Sequence, residues 1–304
     1  MSEGVPYSER ADWKDVTPIP QDDGPNPLVP IAYSSDYIDA MDYFRAISKK
    51  NEKSERVLEL ITDIIDMNPA HYTVWQYRQQ VLFSLNSNLQ KELDYVDEIA
   101  GEQAKNYQVW HHRQVIVNSL NNGDREIPFI NSILEDDSKN YHAWSYRQWV
   151  VKRFNLWDQE LKYTDDMILI DIRNNSAWNY RYFILFSKPQ SPTDDIIDSE
   201  IEFAKHKIQL APNNSCGWSY LTALLEKSNR QLNILQPFLT ELIEKVIISP
   251  YLYSTSIDMY VQEAKLNGTS VDPLALKYCD QLALEFDPIR KKYWEFKKAT
   301  ISKI

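Results

Sequence analysis

The chain has 304 residues, a formal net charge of -11 and a pI near 5.0. This acidic balance argues against a general nucleic-acid binder, which needs a basic footprint. Two cysteines, Cys216 and Cys279, provide neither a disulfide framework nor a CxxC pair, so we expect a reducing compartment. No apolar run reaches the length of a membrane span and the first residues do not resemble a signal peptide, which favours a soluble cytoplasmic or nuclear protein.

The N-terminal segment is rich in proline and poor in apolar periodicity. Within residues 1–33 the prolines are Pro6, Pro18, Pro20, Pro25, Pro27 and Pro30. This pattern predicts a mostly irregular arm over residues 1–33, followed by one helical repeat domain over residues 34–304. Helical spacing begins near Asp36, where Ile38, Met41 and Phe44 lie three residues apart.

Tryptophan recurs along the chain at a nearly constant interval. The separations are 35, 34, 34 and 40 residues, and the five positions are Trp75, Trp110, Trp144, Trp178 and Trp218. An arginine follows three residues after each of the first four, at Arg78, Arg113, Arg147 and Arg181, and Leu221 takes that place after the fifth. A period in the thirties is typical of stacked supersecondary units.

Each repeat contains the signals of two helices. Eighteen residues before its tryptophan, each of the last four repeats has a glutamate at the predicted start of a first helix, where it suits the helix dipole: Glu92, Glu126, Glu160 and Glu200. Four residues before the same tryptophans stand asparagines that can cap a second helix: Asn106, Asn140, Asn174 and Asn214. We therefore predict an all-α fold, an alpha-alpha superhelix built as a right-handed, tetratricopeptide-like crescent of helical hairpins.

The repeat weakens after Trp218. Residues 231–248 and 273–287 still show the spacing of amphipathic helices, and Trp294 follows about two periods later. Terminal repeats are expected to be atypical because one of their faces has no neighbour.

The recurring tryptophans and arginines are interpreted as structural. A large aromatic residue at helical spacing is ordinarily part of a core. The arginines can bond the repeated glutamates of the adjacent unit, which carry the matching charge.

The turn before each second helix carries a positive charge in three successive repeats. Lys105, Lys139 and Arg173 directly precede the predicted caps. Helix N-termini attract anions, so these residues predict an anion-binding edge, and the alternative is an ordinary solvated charge. The adjacent His111 and His112 point in different directions on a helix and do not form a metal site. With no glycine-rich phosphate loop and no nucleophile elbow, the chain contains at most part of an active site.

At these residues the sequence resembles the alpha subunits of protein prenyltransferases. The strings KNYQVWHHR (105–113) and KNYHAWSYRQWV (139–150) carry the similarity, together with FNLWDQEL (154–161) and DIRNNSAWN (171–179). Within the family it is most similar to the subunit type shared by protein farnesyltransferase and type I geranylgeranyltransferase, over roughly residues 35–300. Leu221, the weak C-terminal third and the short N-terminal arm depart from the pattern.

The resemblance implies a heterodimeric enzyme. Its beta subunit, from farnesyltransferase or from geranylgeranyltransferase type I, would hold the catalytic zinc and most of the lipid pocket, and magnesium would accompany the diphosphate. The reaction would move farnesyl or geranylgeranyl from its diphosphate to a cysteine near the C-terminus of CaaX proteins such as small GTPases. The location would be cytoplasmic, without a membrane span or bound nucleic acid.

The resemblance also implies roles for individual residues of this chain, which holds no metal itself. Lys105 would contact the diphosphate and act in catalysis, and Gln108 would bond the C-terminal carboxylate of the peptide. The other implied substrate-binding residues are Tyr72, beside the pocket for the last CaaX residue, and Tyr107, Tyr141 and His142, near isoprenoid and peptide.

Two other functions fit the same repeats. One is a tetratricopeptide-like adaptor that binds acidic peptide tails, although the glycine and alanine positions of that repeat are missing here. The other is the alpha subunit of Rab geranylgeranyltransferase, whose repeats are similar.

Overall fold

The computed structural model describes residues 5–304 and contains no β-strand in that range. Its α-helices are α1 Ser35–Lys50, α2 Glu55–Met67, α3 Tyr72–Ser84, α4 Leu89–Glu102, α5 Tyr107–Leu120, α6 Glu126–Asp136, α7 Tyr141–Phe154, α8 Glu160–Ile170, α9 Asn175–Ser187, α10 Asp194–Leu210, α11 Ser215–Lys227, α12 Gln236–Glu244, α13 Pro250–Asn267, α14 Pro273–Gln281 and α15 Lys291–Ile301. No helix in the described range has the length and hydrophobicity needed to cross a bilayer.

The chain forms two compact units that meet in sequence between Val150 and Val151. The first unit contains the arm and α1 to most of α7, and the second contains α8 to α15. The predicted boundary between an arm of residues 1–33 and a domain of residues 34–304 stays a prediction, although the first α-helix begins at Ser35.

Part of the N-terminal arm packs on the first helices of its own unit. Tyr7 and Trp13 are buried in two short 3-10 turns, and the other described residues of the arm, within 5–33, are irregular. The Tyr7 hydroxyl donates to Asp63 Oδ2 at 2.5 Å, and the Trp13 ring stands edge-on to Tyr43 with centroids 5.6 Å apart. Arg56 holds Asp15 through two bonds of 2.8 and 3.0 Å. The arm therefore covers the face of α1 and α2 that has no preceding repeat.

Asparagine stands at the start or the end of every second helix of the five repeats, and at both ends of α5, α7 and α11. The predicted caps are confirmed, because Asn106, Asn140, Asn174 and Asn214 each accept a bond from a backbone N–H two or three residues later, at 2.8–3.3 Å. After α3, α5, α7 and α11 the chain turns at asparagines with φ between 49° and 57°, namely Asn86, Asn121, Asn155 and Asn229. Asparagine tolerates this left-handed conformation better than most residues, so it ends the helix at low cost.

The repeated tryptophans lie in the core, as predicted, and each is also anchored by a hydrogen bond. All five are at most 5% exposed. Each indole N–H donates to the carbonyl oxygen six residues earlier, at 2.8–3.0 Å. In two repeats that carbonyl also accepts from the capping asparagine of the next repeat, Asn140 on Ala104 and Asn214 on Ile172. In these repeats the turn before one second helix is therefore hydrogen-bonded to the turn before the second helix of the next repeat.

The repeated arginines and glutamates form buried ion pairs, as predicted. Arg113 Nε and Nη2 lie 2.7 and 3.0 Å from the two oxygens of Glu126, which belongs to the following repeat. The pairs of Arg78 with Glu92 and of Arg181 with Glu200 have the same two-bond geometry. These glutamates stabilise the packing of successive hairpins, and three of them also lie in the first turn of a helix, as predicted: Glu92 in α4, Glu126 in α6 and Glu160 in α8. Glu200 departs from the prediction, because α10 begins six residues earlier, at Asp194.

A third group joins each buried pair, two residues after the tryptophan. Tyr146 donates to Glu126 at 2.7 Å, Tyr220 donates to Glu200 at 2.5 Å and Tyr180 donates to Glu160. In one repeat His112 replaces the tyrosine, and its Nε2 lies 2.7 Å from Glu92 Oε1. Burial lowers the pKa of His112, so the ring is neutral near pH 7 and donates through Nε2–H, because the carboxylate only accepts.

The series of ion pairs has apolar residues at both ends. Eighteen residues before Trp75, in the place of the glutamates, stands Val57, and three residues after Trp218, in the place of the arginines, stands Leu221. Both side chains are completely buried. A glutamate in place of Val57 would have no arginine of a preceding repeat to pair with, and an arginine in place of Leu221 would have no glutamate of a following repeat.

The C-terminal part of the second unit departs from the expected helices. Residues 231–248 contain a 3-10 segment before α12, and residues 273–287 contain α14 and a π-helical turn over Leu282–Phe286. The longest helix, α13, was not predicted because serine and threonine interrupt its apolar spacing. Trp294 is buried as expected and donates to Asp287 Oδ2 at 2.8 Å.

Candidate functional site

The first unit exposes one tyrosine at the start of each of three second helices. Tyr72, Tyr107 and Tyr141 occupy equivalent positions, three residues before the repeat tryptophan, and are 68–69% exposed. The asparagine cap of α5 and of α7 fixes the backbone just before its tyrosine. Large aromatic rings on an open surface lose little conformational entropy when they are covered, which suits them to contact a ligand or another chain.

His142 links two of these positions. Its ring stands edge-on to Tyr107, with centroids 4.3 Å apart, and lies nearly parallel to Trp110 at 6.3 Å. Partial burial lowers the pKa of His142, and a hydrogen bond with the Lys105 backbone opposes that shift. The structure therefore brings three of the predicted residues, Lys105, Tyr107 and His142, to one place.

A groove of about 280 Å³ runs between α5 and α7 beside these rings. Aromatic residues dominate its lining, and the polar members come from one side of each helix: Tyr107, Trp110, Tyr141, His142, Tyr146 and Trp149, with His111, Gln114 and Ser145. Such a surface can pack against a hydrocarbon chain while its few polar groups orient a polar end.

Lys105 directly precedes the cap of α5, two residues before Tyr107, and presents its ammonium to solvent. The side chain is 81% exposed, and Nζ lies 3.3 Å from Asp137 Oδ2 in the turn before α7. Asp137 was not predicted, since its contact with Lys105 joins two separate turns. One sequence signal could have found it, because Asp137 and Asp171 both stand two residues before the basic residue that precedes the next cap.

Tyr141 lines the groove between α5 and α7, whereas the last two predicted residues lie outside its lining. Gln108 is half-buried in the first turn of α5, and Tyr72 stands on the preceding repeat, beside His71. Of the other two basic positions, Lys139 lies in the turn after Asp137, and Arg173 belongs to the second unit. The alignment of all three basic residues along one edge stays a prediction.

No metal site is built from the described part of the chain. Nowhere in residues 5–304 do three histidine, cysteine, aspartate or glutamate side chains converge as metal ligands. Cys216 and Cys279 are both buried and form no disulfide, and burial raises the pKa of the Cys279 thiol to about 11, which makes it a poor ligand and a poor nucleophile near pH 7.

The hairpins, the capped turns and the buried ion pairs define the class of this molecule as an all-α protein of helical-hairpin repeats. Five matches to the protein prenyltransferase alpha subunit repeat cover residues 54–85, 89–120, 124–154, 157–187 and 197–228. Each match contains one hairpin, from α2 and α3 to α10 and α11. The chain belongs to the protein prenyltransferase alpha subunit family.

Relatives of nearly equal length identify the subunit type. The protein farnesyltransferase/geranylgeranyltransferase type-1 subunit alpha of Dictyostelium discoideum is 39% identical over 98% of this chain and 95% of its own. The subunit of the same name from Candida albicans is 35% identical over 96% and 98% of the two chains. Both carry the type-1 name, so this chain is an alpha subunit of that type, and neither the Rab-type subunit nor the tetratricopeptide-like adaptor describes it.

A solved structure supports the same assignment. Candida albicans protein geranylgeranyltransferase-I complexed with GGPP contains a chain that matches with a TM-score of 0.87 and 35% identity, covering 96% of this chain and 99% of that one. The predicted fold class, an alpha-alpha superhelix of helical hairpins, is confirmed by this match and by the five repeats.

Proposed function

We propose that this chain works with a beta subunit, from farnesyltransferase or from geranylgeranyltransferase type I, as a cytoplasmic CaaX protein prenyltransferase. The enzyme transfers farnesyl or geranylgeranyl from its diphosphate to a cysteine thiol near the C-terminus of proteins such as small GTPases. The observation that carries this proposal is the match over nearly the whole chain to type-1 alpha subunits and to a geranylgeranyltransferase-I structure.

Lys105 is the residue of this chain that we assign to the chemical step. In the reaction a carbon–sulfur bond forms at the allylic carbon while its carbon–oxygen bond breaks, and the electron pair leaves with the diphosphate. A nearby ammonium stabilises the growing negative charge more in the transition state than in the ground state. The exposed Nζ, on the residue two before Tyr107 of the groove, supports this assignment.

The aromatic groove and Gln108 are assigned to substrate binding. Tyr107, Tyr141 and His142 offer rings to the isoprenoid and the peptide, and the proximity of Tyr107 to His142 supports a joint surface. Gln108 donates from its amide to the C-terminal carboxylate of the peptide. Tyr72, exposed on the preceding repeat, borders the last CaaX residue.

The zinc and magnesium implied by the family do not fit ligands of this chain. Three converging donors are the minimum for a catalytic zinc site, and residues 5–304 provide no such group. We therefore assign zinc to the beta subunit and magnesium to the bound diphosphate.

Co-expression tests the proposed function. We expect the chain and a type-1 beta subunit to purify as a 1:1 complex that prenylates a CaaX peptide, while either chain alone is inactive. A large interface, above about 2,000 Å², is typical of such obligate pairs. If the chain binds neither type-1 beta subunit, the proposal is wrong.

Gln108→Ala is expected to act on the peptide rather than on the lipid. A hydrogen bond to a charged group contributes roughly 1.5–3 kcal/mol, so the peptide KM should rise about ten- to hundred-fold.

Tyr72→Phe should instead change the preference among last CaaX residues. Steady-state kinetics with peptides that differ only at that residue measure both effects, and weaker binding of the lipid diphosphate with unchanged peptide kinetics would contradict these roles.

A further inference from the structure

The turn that carries Lys105 is held by the next turn of the same unit. The Ala104 carbonyl accepts from Asn140 Nδ2 at 3.1 Å and from the Trp110 indole at 2.8 Å. The Lys105 side chain reaches Asp137 Oδ2 at 3.3 Å. Backbone and side chain of the Lys105 turn are therefore both restrained from the α6–α7 turn.

Asp137 is itself fixed and charged. Its Oδ1 accepts the backbone N–H of Lys139 at 3.1 Å, and its backbone carbonyl accepts from Asn140 at 3.0 Å. The Lys139 backbone bond lowers the pKa of Asp137, with Lys105 contributing, so the carboxylate is ionised near neutral pH. One oxygen is thus used to hold the turn, and the other is directed to Lys105.

The Lys105–Asp137 pair lies at the surface, where exchange of partners is easy. The side chains are 81% and 39% exposed. Pairs of this kind change an equilibrium constant by only about 1.4- to 5-fold. A diphosphate that gains negative charge can therefore take Lys105 from Asp137.

We propose that Asp137 is a positioning residue that pairs with Lys105 in the substrate complex and yields it to the diphosphate as the leaving group becomes charged. This inference rests on the proposed function, in which Lys105 acts on the diphosphate. An ammonium that bound substrate and transition state equally would tighten binding without accelerating the chemical step. A competing carboxylate keeps Lys105 from the diphosphate in the substrate complex, and Lys105 exchanges Asp137 for the diphosphate only when the leaving group carries enough charge to exceed this weak pair.

Asp137→Asn in the complex with the beta subunit tests the proposal. Asparagine keeps the acceptor for the Lys139 N–H and removes the charge. We expect the Kd for geranylgeranyl or farnesyl diphosphate to fall about two- to five-fold, and the single-turnover rate constant at saturation to stay close to that of the wild type. The ratio of rate constant to Kd should therefore rise by a similar factor, because the transition state of the variant forms without breaking the Lys105–Asp137 pair. A residue that only maintained the turn would, when changed, weaken lipid binding and slow the reaction together, and that result would overturn the proposal.

Two matched variants complete the experiment. Asp136→Asn removes the same charge from the neighbouring exposed residue and should leave both constants unchanged. In a Lys105→Ala background, Asp137→Asn should no longer tighten lipid binding. An equal gain in that background would mean direct repulsion between Asp137 and the diphosphate, and the proposal would be wrong. If Lys105→Ala alone does not slow the single turnover, the failure lies in the role assigned to Lys105.

Discussion

Lys105→Ala should slow the chemical step about 100-fold. Loss of one donor that acts on developing charge typically costs on the order of 10²-fold, or roughly 3 kcal/mol. Affinity for the lipid diphosphate should change little, because Lys105 pairs with Asp137 before charge builds. Single-turnover rates of the variant, co-expressed with its beta subunit, measure this effect separately from product release.

Lys139→Ala and Arg173→Ala are the controls for that experiment. Both residues directly precede an asparagine cap, as Lys105 does, but neither has an assigned phosphate role. We expect their single-turnover rates to stay close to that of the wild type. Small and equal effects at all three positions would indicate a diffuse positive surface and no dedicated catalytic lysine on this subunit.

Glu126→Ala should strongly destabilise the fold. Glu126 is completely buried and accepts two bonds from Arg113 and one from Tyr146. Its removal leaves the buried guanidinium with only Asp97 as a carboxylate partner among the described residues, and breaking such a pair costs roughly 3–5 kcal/mol. Urea unfolding of the purified complex at a fixed protein concentration measures the loss.

Glu135→Ala provides the matched comparison for that loss. Glu135 lies on the same helix, carries the same charge and is exposed. Surface substitutions of this kind usually change stability by at most about 0.5 kcal/mol. Similar unfolding midpoints for the two variants would mean that the buried pair contributes little to stability.

The features that could be predicted from sequence are those that repeat locally. The spacing of tryptophan, arginine and asparagine specifies hairpins, caps and the charge match between neighbours, because each signal recurs at a fixed offset. The tyrosines of the buried pairs, such as Tyr146 and Tyr220, recur in the same way. Each donates a hydrogen bond to a glutamate twenty residues earlier, on the preceding helix, and the spacing alone does not identify that contact. The docking of Trp13 on Tyr43 has no periodic signal.

The candidate site was less accessible to sequence reasoning than the fold. A helix start places Lys105, Tyr107 and Gln108 within one turn, so their shared location follows from the spacing. The contacts of His142 with Tyr107 and of Asp137 with Lys105 depend on how two hairpins pack, and this packing cannot be read from a single sequence. The roles of these residues toward lipid and peptide stay predictions, because they depend on the second subunit.

The apolar ends of the ion-pair series, Val57 and Leu221, bear on how the number of hairpins can change during evolution. After duplication or deletion of an internal hairpin, the repeated arginine of each hairpin would still face the repeated glutamate of the hairpin that follows it. Loss of the first hairpin would remove Arg78 and leave Glu92 with the neutral His112, and loss of the fifth would remove Glu200 and leave Arg181 with Asp165 as its carboxylate partner among the described residues. The number of internal hairpins can therefore change without loss of an arginine–glutamate pair, whereas the first and fifth hairpins must be kept at the two ends of the repeat.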